Sequence, residues 1–269
     1  MLHYLLSIDS TSTELRRRMS AEELPHGYCI SADFQTNGHG QATNHWESED
    51  SKNLLFSLLL RPTIIPASEQ FIITELVTLA IINALQDEIR QKITIKWPND
   101  IYVGNHKLCG ILIENALCGQ TIDTCIVGIG ININQETFTS NAPNPISLTQ
   151  LSGRTHDRQA IFDEIYKNIL NYYSYFAQMS DKSDKSDCPT SPTSLTSPTS
   201  PTKDSVIKQS LHYEYMNNLY RRTGLHEYST PEGEHFRAEI ENIGPQGHLT
   251  LRLESGEQRT FAFKEVIFI

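Results

Sequence analysis

Residues 93–115 read ITIKWPNDIYVGNHKLCGILIEN, and this stretch decides the fold. Ile93, Thr94 and Ile95 are strand-forming, Pro98-Asn99-Asp100 is a turn signal, and residues 101–103 resume the strand pattern. Gly104-Asn105 fits a two-residue hairpin turn that needs positive φ, with residues 107–114 as the return strand. That register sets Tyr102 opposite Lys107 on one face of the sheet. A lysine that opens an apolar strand containing Gly110 suggests a cation beside a close backbone approach. Standing alone, the stretch reads as a surface hairpin with a solvated lysine. The flanking sequence has to decide.

Length and composition narrow the choices. With 269 residues, 38% of them hydrophobic, the chain makes one medium domain with an appendage or two unequal domains. A formal net charge of −10 argues against a nucleic-acid partner, because a phosphate footprint needs clustered Lys and Arg. A small anionic substrate stays compatible, since one site can be basic on an acidic protein. Cys29, Cys109, Cys118, Cys125 and Cys188 are odd in number and form no C-x-x-C pair, so reduced thiols are expected rather than a zinc cluster or a disulfide framework. The start, MLHYLLSIDS, lacks a basic region and a cleavage signal and reads as a first strand. No run approaches the roughly 18 apolar residues of a membrane span. A soluble, cytoplasmic protein without membrane contact is expected.

Taken in order, residues 3–8 form a strand that runs into Asp9-Ser10-Thr11-Ser12. Thr11 with Glu14 matches a capping box for a short helix to about residue 19. Hydroxyls at a helix start can cap the helix or receive a polar ligand atom. A strand over 28–34 leads into a polar loop, QTNGHGQATNHW (35–46), in which Gly38 and Gly40 let the backbone curl around a ligand. It is neither a dinucleotide fingerprint, since Thr43 stands where a third glycine would be, nor a Walker A loop. Trp46 in such a loop needs something to cover. Residues 53–60, NLLFSLLL, form a buried strand. A broad apolar stripe predicts a deeply buried helix over 66–89, N-capped by Ser68. After the hairpin comes a strand over 121–133, TIDTCIVGIGINI, whose Gly128 and Gly130 mark a bulge or a ligand against the backbone. An amphipathic helix covers 157–179. Residues 180–205 are Ser/Thr/Pro-rich, a composition that predicts a disordered insertion. A helix resumes at 206–221, and 225–269 is all strand and turn, a small β-barrel expected to be an appended module.

Together these stretches resemble the biotin protein ligases. The likeness rests on Asp9-Ser10-Thr11, the loop from Gln35 through Gly38 and Gly40 to Trp46, Lys96-Trp97-Pro98-Asn99-Asp100, Lys107-Leu108-x-Gly110-Ile111-Leu112, and Gly128-Ile129-Gly130-Ile131-Asn132. The two lysine-containing pieces are highly specific together, and the order and spacing hold over nearly the whole chain. The resemblance implies an α+β fold: a mixed β-sheet backed by helices, of the class II synthetase-like type, over residues 1–222, with an SH3-like barrel over 223–269. It implies an ATP-dependent ligase that makes biotinyl-5'-AMP and passes biotin to a lysine of a biotin carboxyl carrier protein, as of acetyl-CoA carboxylase. A monomer or weak homodimer is expected. The start of the chain at the catalytic domain disfavours the repressor role of family members with a DNA-binding domain.

By the family's pattern Lys107 is the catalytic cation, placed between the biotin carboxylate and the phosphate. Ser10, Thr11, Ser12, Gln35, Gly38, His39, Gly40, Gln41, Lys107 and Gly110 would form the biotin site, where the ureido ring needs partners once buried. Trp46, Lys96, Asn99, Asp100 and Asn132 would take the ATP and adenylate side, with Asp100 available to Mg²⁺. One departure stands out. The family's glycine loop has the form G-R-G-R-x-G, whereas Gly38-His39-Gly40-Gln41-Ala42-Thr43 lacks both arginines. Losing one charge-assisted contact costs about 1.5–3 kcal/mol, which implies looser retention of the adenylate. Two rival readings share these residues: a lipoate or octanoate–protein ligase or transferase of the same fold, and a non-catalytic biotin- or nucleotide-binding module.

Overall fold

A computed structural model describes residues 1–40, 45–140, 144–180 and 203–269. Gln41 and most of the 180–205 insertion lie outside these residues.

Seven strands form one mixed sheet in the order β1-β2-β3-β7-β6-β5-β4. They are β1 Leu2–Ile8, β2 Cys29–Gln35, β3 Leu54–Leu60, β4 Ile93–Lys96, β5 Asp100–Val103, β6 His106–Cys118 and β7 Thr121–Ile131. Only β1 and β2 pair in parallel; the other neighbours are antiparallel. Three helices, α2 Phe71–Leu85, α4 Arg158–Ser180 and α5 Lys203–Asn217, pack on one another and join the main core. The shorter α1, Thr11–Ala21, packs against β2, β3 and β7 over a second, smaller cluster built on Leu15, Tyr28, Ile30 and Leu59. Both faces of the sheet are therefore covered, which explains why β3 is buried along its whole length.

Period-two alternation explains where the sheet is left bare. Val127, Ile129 and Ile131 of β7 point into the main core. Gly128 and Gly130 between them face α1 and bring no side chain. On β6, Gly110 lies opposite Gly130, and Leu112 opposite Gly128. The hairpin has the expected turn, with Tyr102 opposite Lys107 and Val103 opposite His106. A bulge interrupts it: Ile101 pairs with Cys109, so Leu108 is an extra residue. The extra residue shifts the alternation and brings Lys107 onto the face of Gly110, whose absent Cβ would sit 3.3 Å from the lysine Cε.

Five strands, β8 His226–Ser229, β9 His235–Ile243, β10 Leu249–Leu253, β11 Gln258–Phe261 and β12 Ile267–Phe268, make a second, all-antiparallel sheet in the order β11-β10-β9-β8-β12. It is docked firmly on the first. Trp97 Nε1 donates to Gly247 O at 2.9 Å, Phe71 N–H donates to Pro245 O at 3.2 Å, and Gly247 sits against the Phe71 ring.

Three local expectations differ from the structure. The N-cap of α1 is Ser10, and no side chain closes a capping box there. Glu14 instead binds Arg18 at 3.0 Å, and the Thr11 hydroxyl is drawn into the site. The helix expected over 66–89 is broken into a 3-10 turn Ala67–Glu69, the α-helix proper and a second 3-10 turn Gln86–Glu88. Ser68 does not cap it; Gln70 precedes the first turn, where Phe71 N–H is taken by the second sheet. A capping box does occur at Ser147 and Gln150, at the start of the unforeseen short helix α3, Leu148–Ser152.

Candidate active site

A cavity of about 550 Å³ opens on the α1 face of the large sheet. Gly110, Gly128 and Gly130 form its floor. The start of α1 forms one wall, the turn between β4 and β5 another, and the second sheet closes the remaining side.

At the α1 wall, Ser10, Thr11 and Ser12 are all buried. Thr11 N–H donates to Gln35 Oε1 at 2.7 Å, and its hydroxyl reaches the same oxygen at 3.1 Å. Both Thr11 Oγ1 and Ser12 Oγ lie 2.8 Å from Ser57 Oγ, which is fully buried on β3. Ser57 was not among the expected residues, although a lone serine in NLLFSLLL was its signal. Gly128 is required here because a Cβ would come within 2.7 Å of Ser12 Oγ. The wall thus offers hydroxyls and a side-chain amide on a bare backbone floor, suited to a small neutral polar group.

On the opposite wall, Lys107 Nζ lies 2.7 Å from Asp100 Oδ2, with both side chains partly buried. Lys96 Nζ sits 5.1 Å from the Tyr102 ring centroid and 5.5 Å from that of Phe268. Burial lowers the Lys96 pKa below the usual lysine value, an effect partly offset by Asp100. Asn99 is buried and donates to Ile111 O at 3.1 Å, which fixes the turn against the floor. Two lysines and one carboxylate on this side suit a phosphate-bearing ligand. Among the described residues no cluster of three metal-ligating side chains occurs. Asp100 is the carboxylate on this wall, with its Oδ2 engaged by Lys107.

The loop closes the top. Trp46 N–H donates to Gly38 O at 3.0 Å, and His39 pairs with His45 as a β-bridge. The Trp46 indole lies flat on the glycine floor. A Cβ at Gly130 would fall 2.5 Å from Trp46 Cε2, and one at Gly110 would fall 2.7 Å from Cζ3. What lies against these strand glycines is therefore a side chain of the protein itself. Trp46 Nε1 is buried without a hydrogen-bond partner among the described residues.

Twelve of the expected residues line this one cavity: Ser10, Thr11, Ser12, Gln35, His39, Gly40, Trp46, Lys96, Asn99, Asp100, Lys107 and Gly110. Gly38 lies just behind the wall, where a Cβ would press on Gln35 and Trp46. Asn132 is not brought to the surface of the cavity. It is buried below it, donating to Lys107 O at 3.4 Å and to Ile146 O at 3.2 Å. The second sheet, expected as an appended module, supplies Pro231, Phe263, Lys264, Val266, Ile267 and Phe268 to the lining.

Residues 4–132 match the model of the Biotin/lipoate A/B protein ligase family, and these residues contribute the floor, the α1 wall and the lysine wall. Over that stretch, just under half of its length, the chain is similar to that family. The chain is 31% identical over 161 residues to the "Bifunctional ligase/repressor BirA" of Bacillus spizizenii, covering 58% of this chain and 49% of the relative. It is 24% identical over 163 residues to the "Biotin--[acetyl-CoA-carboxylase] ligase" of Mycobacterium tuberculosis, covering 60% of this chain and 59% of that protein. The chain spans about half the length of the first curated relatives it matches. Among solved structures, a biotin protein ligase from Aquifex aeolicus in complex with biotin and ATP matches 100% of this chain and 98% of its own, with a TM-score of 0.73 and 22% identity. That likeness of fold extends beyond residues 4–132 to the second sheet.

Proposed function

We propose that the protein is an ATP-dependent biotin ligase that forms biotinyl-5'-AMP and transfers biotin to a lysine of a biotin carboxyl carrier domain. One observation carries the reading: Lys107 projects into the cavity between a neutral polar pocket on the glycine floor and a wall carrying Lys96, Asn99 and Asp100. A carboxylate and a triphosphate repel each other, and a cation at their meeting point lowers that repulsion and stabilises charge developing at the α-phosphorus.

In this reading the ureido ring lies against Ser10, Thr11, Ser12 and Gln35, supported from behind by Ser57. Its carboxylate points to Lys107. The carboxylate oxygen attacks the α-phosphorus and pyrophosphate leaves. The uncharged ε-amine of the acceptor lysine then attacks the acyl carbon, AMP departs, and the amine's proton passes to solvent. Lys96 and Asn99 hold the nucleotide side, and Asp100 would share Mg²⁺ with the phosphates and help to screen their charge. Trp46 lifts from the floor and covers the adenylate. Residues 1–222 would form the catalytic unit and 223–269 the barrel that completes its wall. The names of the curated relatives support acetyl-CoA carboxylase as the source of the acceptor.

Biotin-dependent exchange of labelled pyrophosphate into ATP, followed by transfer of labelled biotin to a carrier domain, tests both half-reactions. Exchange with lipoate and none with biotin would move the assignment to the lipoate branch of the family. Binding of biotin without exchange would leave a binding module only.

A further inference from the structure

A second concavity, of about 650 Å³, lies where the segment after α5 crosses the β4 edge of the large sheet. The backbone holds that segment in place: Ile95 N–H donates to Asn218 O and Tyr220 N–H donates to Ile95 O, both at 2.8 Å. Arg221 and Arg222 line the concavity, with Lys92 from just before β4 and His226 from the start of β8. No carboxylate side chain is among the lining residues, in a protein whose formal net charge is −10. Main-chain oxygens position the two guanidinium groups. Arg222 Nη1 donates to Ile240 O at 2.8 Å, a contact that fixes the group without cancelling its charge. Arg221 donates to Glu227 O at 3.2 Å and to Ile269 O, and lies 5.1 Å from the centroid of the Tyr220 ring. It does so from the left-handed backbone region, at φ 57°, where a residue with a Cβ persists only if its surroundings over-determine it. A neutral donor completes the set. The Tyr220 hydroxyl donates to Asn105 Oδ1 at 2.8 Å, which leaves the Asn105 amide N–H groups for another acceptor.

We infer that this concavity binds the phosphate group of a small anion, inorganic phosphate or a phosphate monoester, at a site apart from the candidate active cavity. Like charges gathered in one place repel one another, and a multivalent anion is attracted by all of them at once. Guanidinium forks match the oxygens of a phosphate in pairs, which a point charge cannot do. The two cavities share no lining residue. Their common boundary is aromatic: the Tyr220 ring lies 5.7 Å from Tyr102 and 6.5 Å from Phe268, the two rings over which Lys96 packs. The site stands whether or not the ligase reading holds.

Calorimetric titration of the full chain with inorganic phosphate and with ribose 5-phosphate, at low ionic strength, tests this. At least one should bind, with an affinity that falls as KCl is added. Tighter binding of ribose 5-phosphate marks a monoester as the ligand class, and equal binding marks the phosphate alone. Arg222→Gln should weaken the bound probe about tenfold, the loss for one charge-assisted contact. Lys92→Ala, at an exposed position, should weaken it about threefold. Lys107→Ala, in the other cavity, should bind it as the wild type does. If Arg222→Gln melts early, Lys92→Ala decides alone, because an exposed side chain carries little of the fold. Unchanged affinity in Lys92→Ala and any folded Arg222→Gln would overturn the site, as would a loss confined to Lys107→Ala or a wild type that binds neither probe.

Discussion

Lys107 and Asp100 close on each other at 2.7 Å across the two strands of the hairpin, each partly buried at the cavity wall. The pair holds a cation in place before any ligand arrives. Lys107→Ala should cut pyrophosphate exchange by about 10²–10³, the usual loss for one transition-state donor, with far less change in melting temperature. A near wild-type exchange rate would remove Lys107 from the mechanism.

Gly130 has no room for a side chain. Alanine there would place a Cβ 2.5 Å from Trp46 Cε2, so the indole must leave the floor. The protein has two tryptophans, and Trp97 is buried at 5% exposure. Gly130→Ala should therefore shift the fluorescence to the red through Trp46 alone. It should also raise the KM for biotin. An unchanged spectrum would contradict the packing of Trp46 on the strand glycines.

Asn132 is placed to support the floor from below. Asn132→Ala removes the donor to the carbonyls of Lys107 and Ile146 and should cost about 1–3 kcal/mol of stability, read by denaturant unfolding. The KM for ATP should move less than in Lys96→Ala. The opposite order would return Asn132 to the nucleotide side.

His212 on α5 joins Glu75 of α2 at 2.6 Å and Asn242 of β9 at 3.1 Å. The Glu75 contact raises the histidine's pKa, while burial raises that of Glu75. A raised histidine stabilises the fold fully below its unfolded value of about 6.5 and loses that contribution as pH rises through its folded value. As pH rises above about 6.5, the melting temperature of the wild type should thus fall more steeply than that of His212→Gln. Parallel profiles would place the pH dependence elsewhere.

The hairpin register and the glycines of β6 and β7 were legible in the sequence because they follow from local rules, whereas the expected lining residues came from the family resemblance. Gly104-Asn105 dictates its own turn, and a glycine in an Ile/Val strand demands that something come close. Other features depend on partners far along the chain. The extra residue at Leu108 leaves no mark in a run that alternates plausibly with or without it, yet it turns Lys107 to the cavity. Thr11 and Glu14 match a capping pattern, but Gln35 and Ser57 compete for the threonine hydroxyl and win it. The part played by the second sheet was hidden for the same reason. Its residues face the cavity only because Trp97 and Phe71 dock it there.

That docking joint gives Gly247 an importance its position conceals. No atom of Gly247 lines the cavity, yet its carbonyl anchors Trp97 and its bare Cα admits the Phe71 ring, at φ 90°. In a screen for inactive variants, substitutions at Gly247 would score with those at Lys96 and Lys107. They would map as a defect in chemistry while leaving every reacting group intact, because they separate the two halves of the wall.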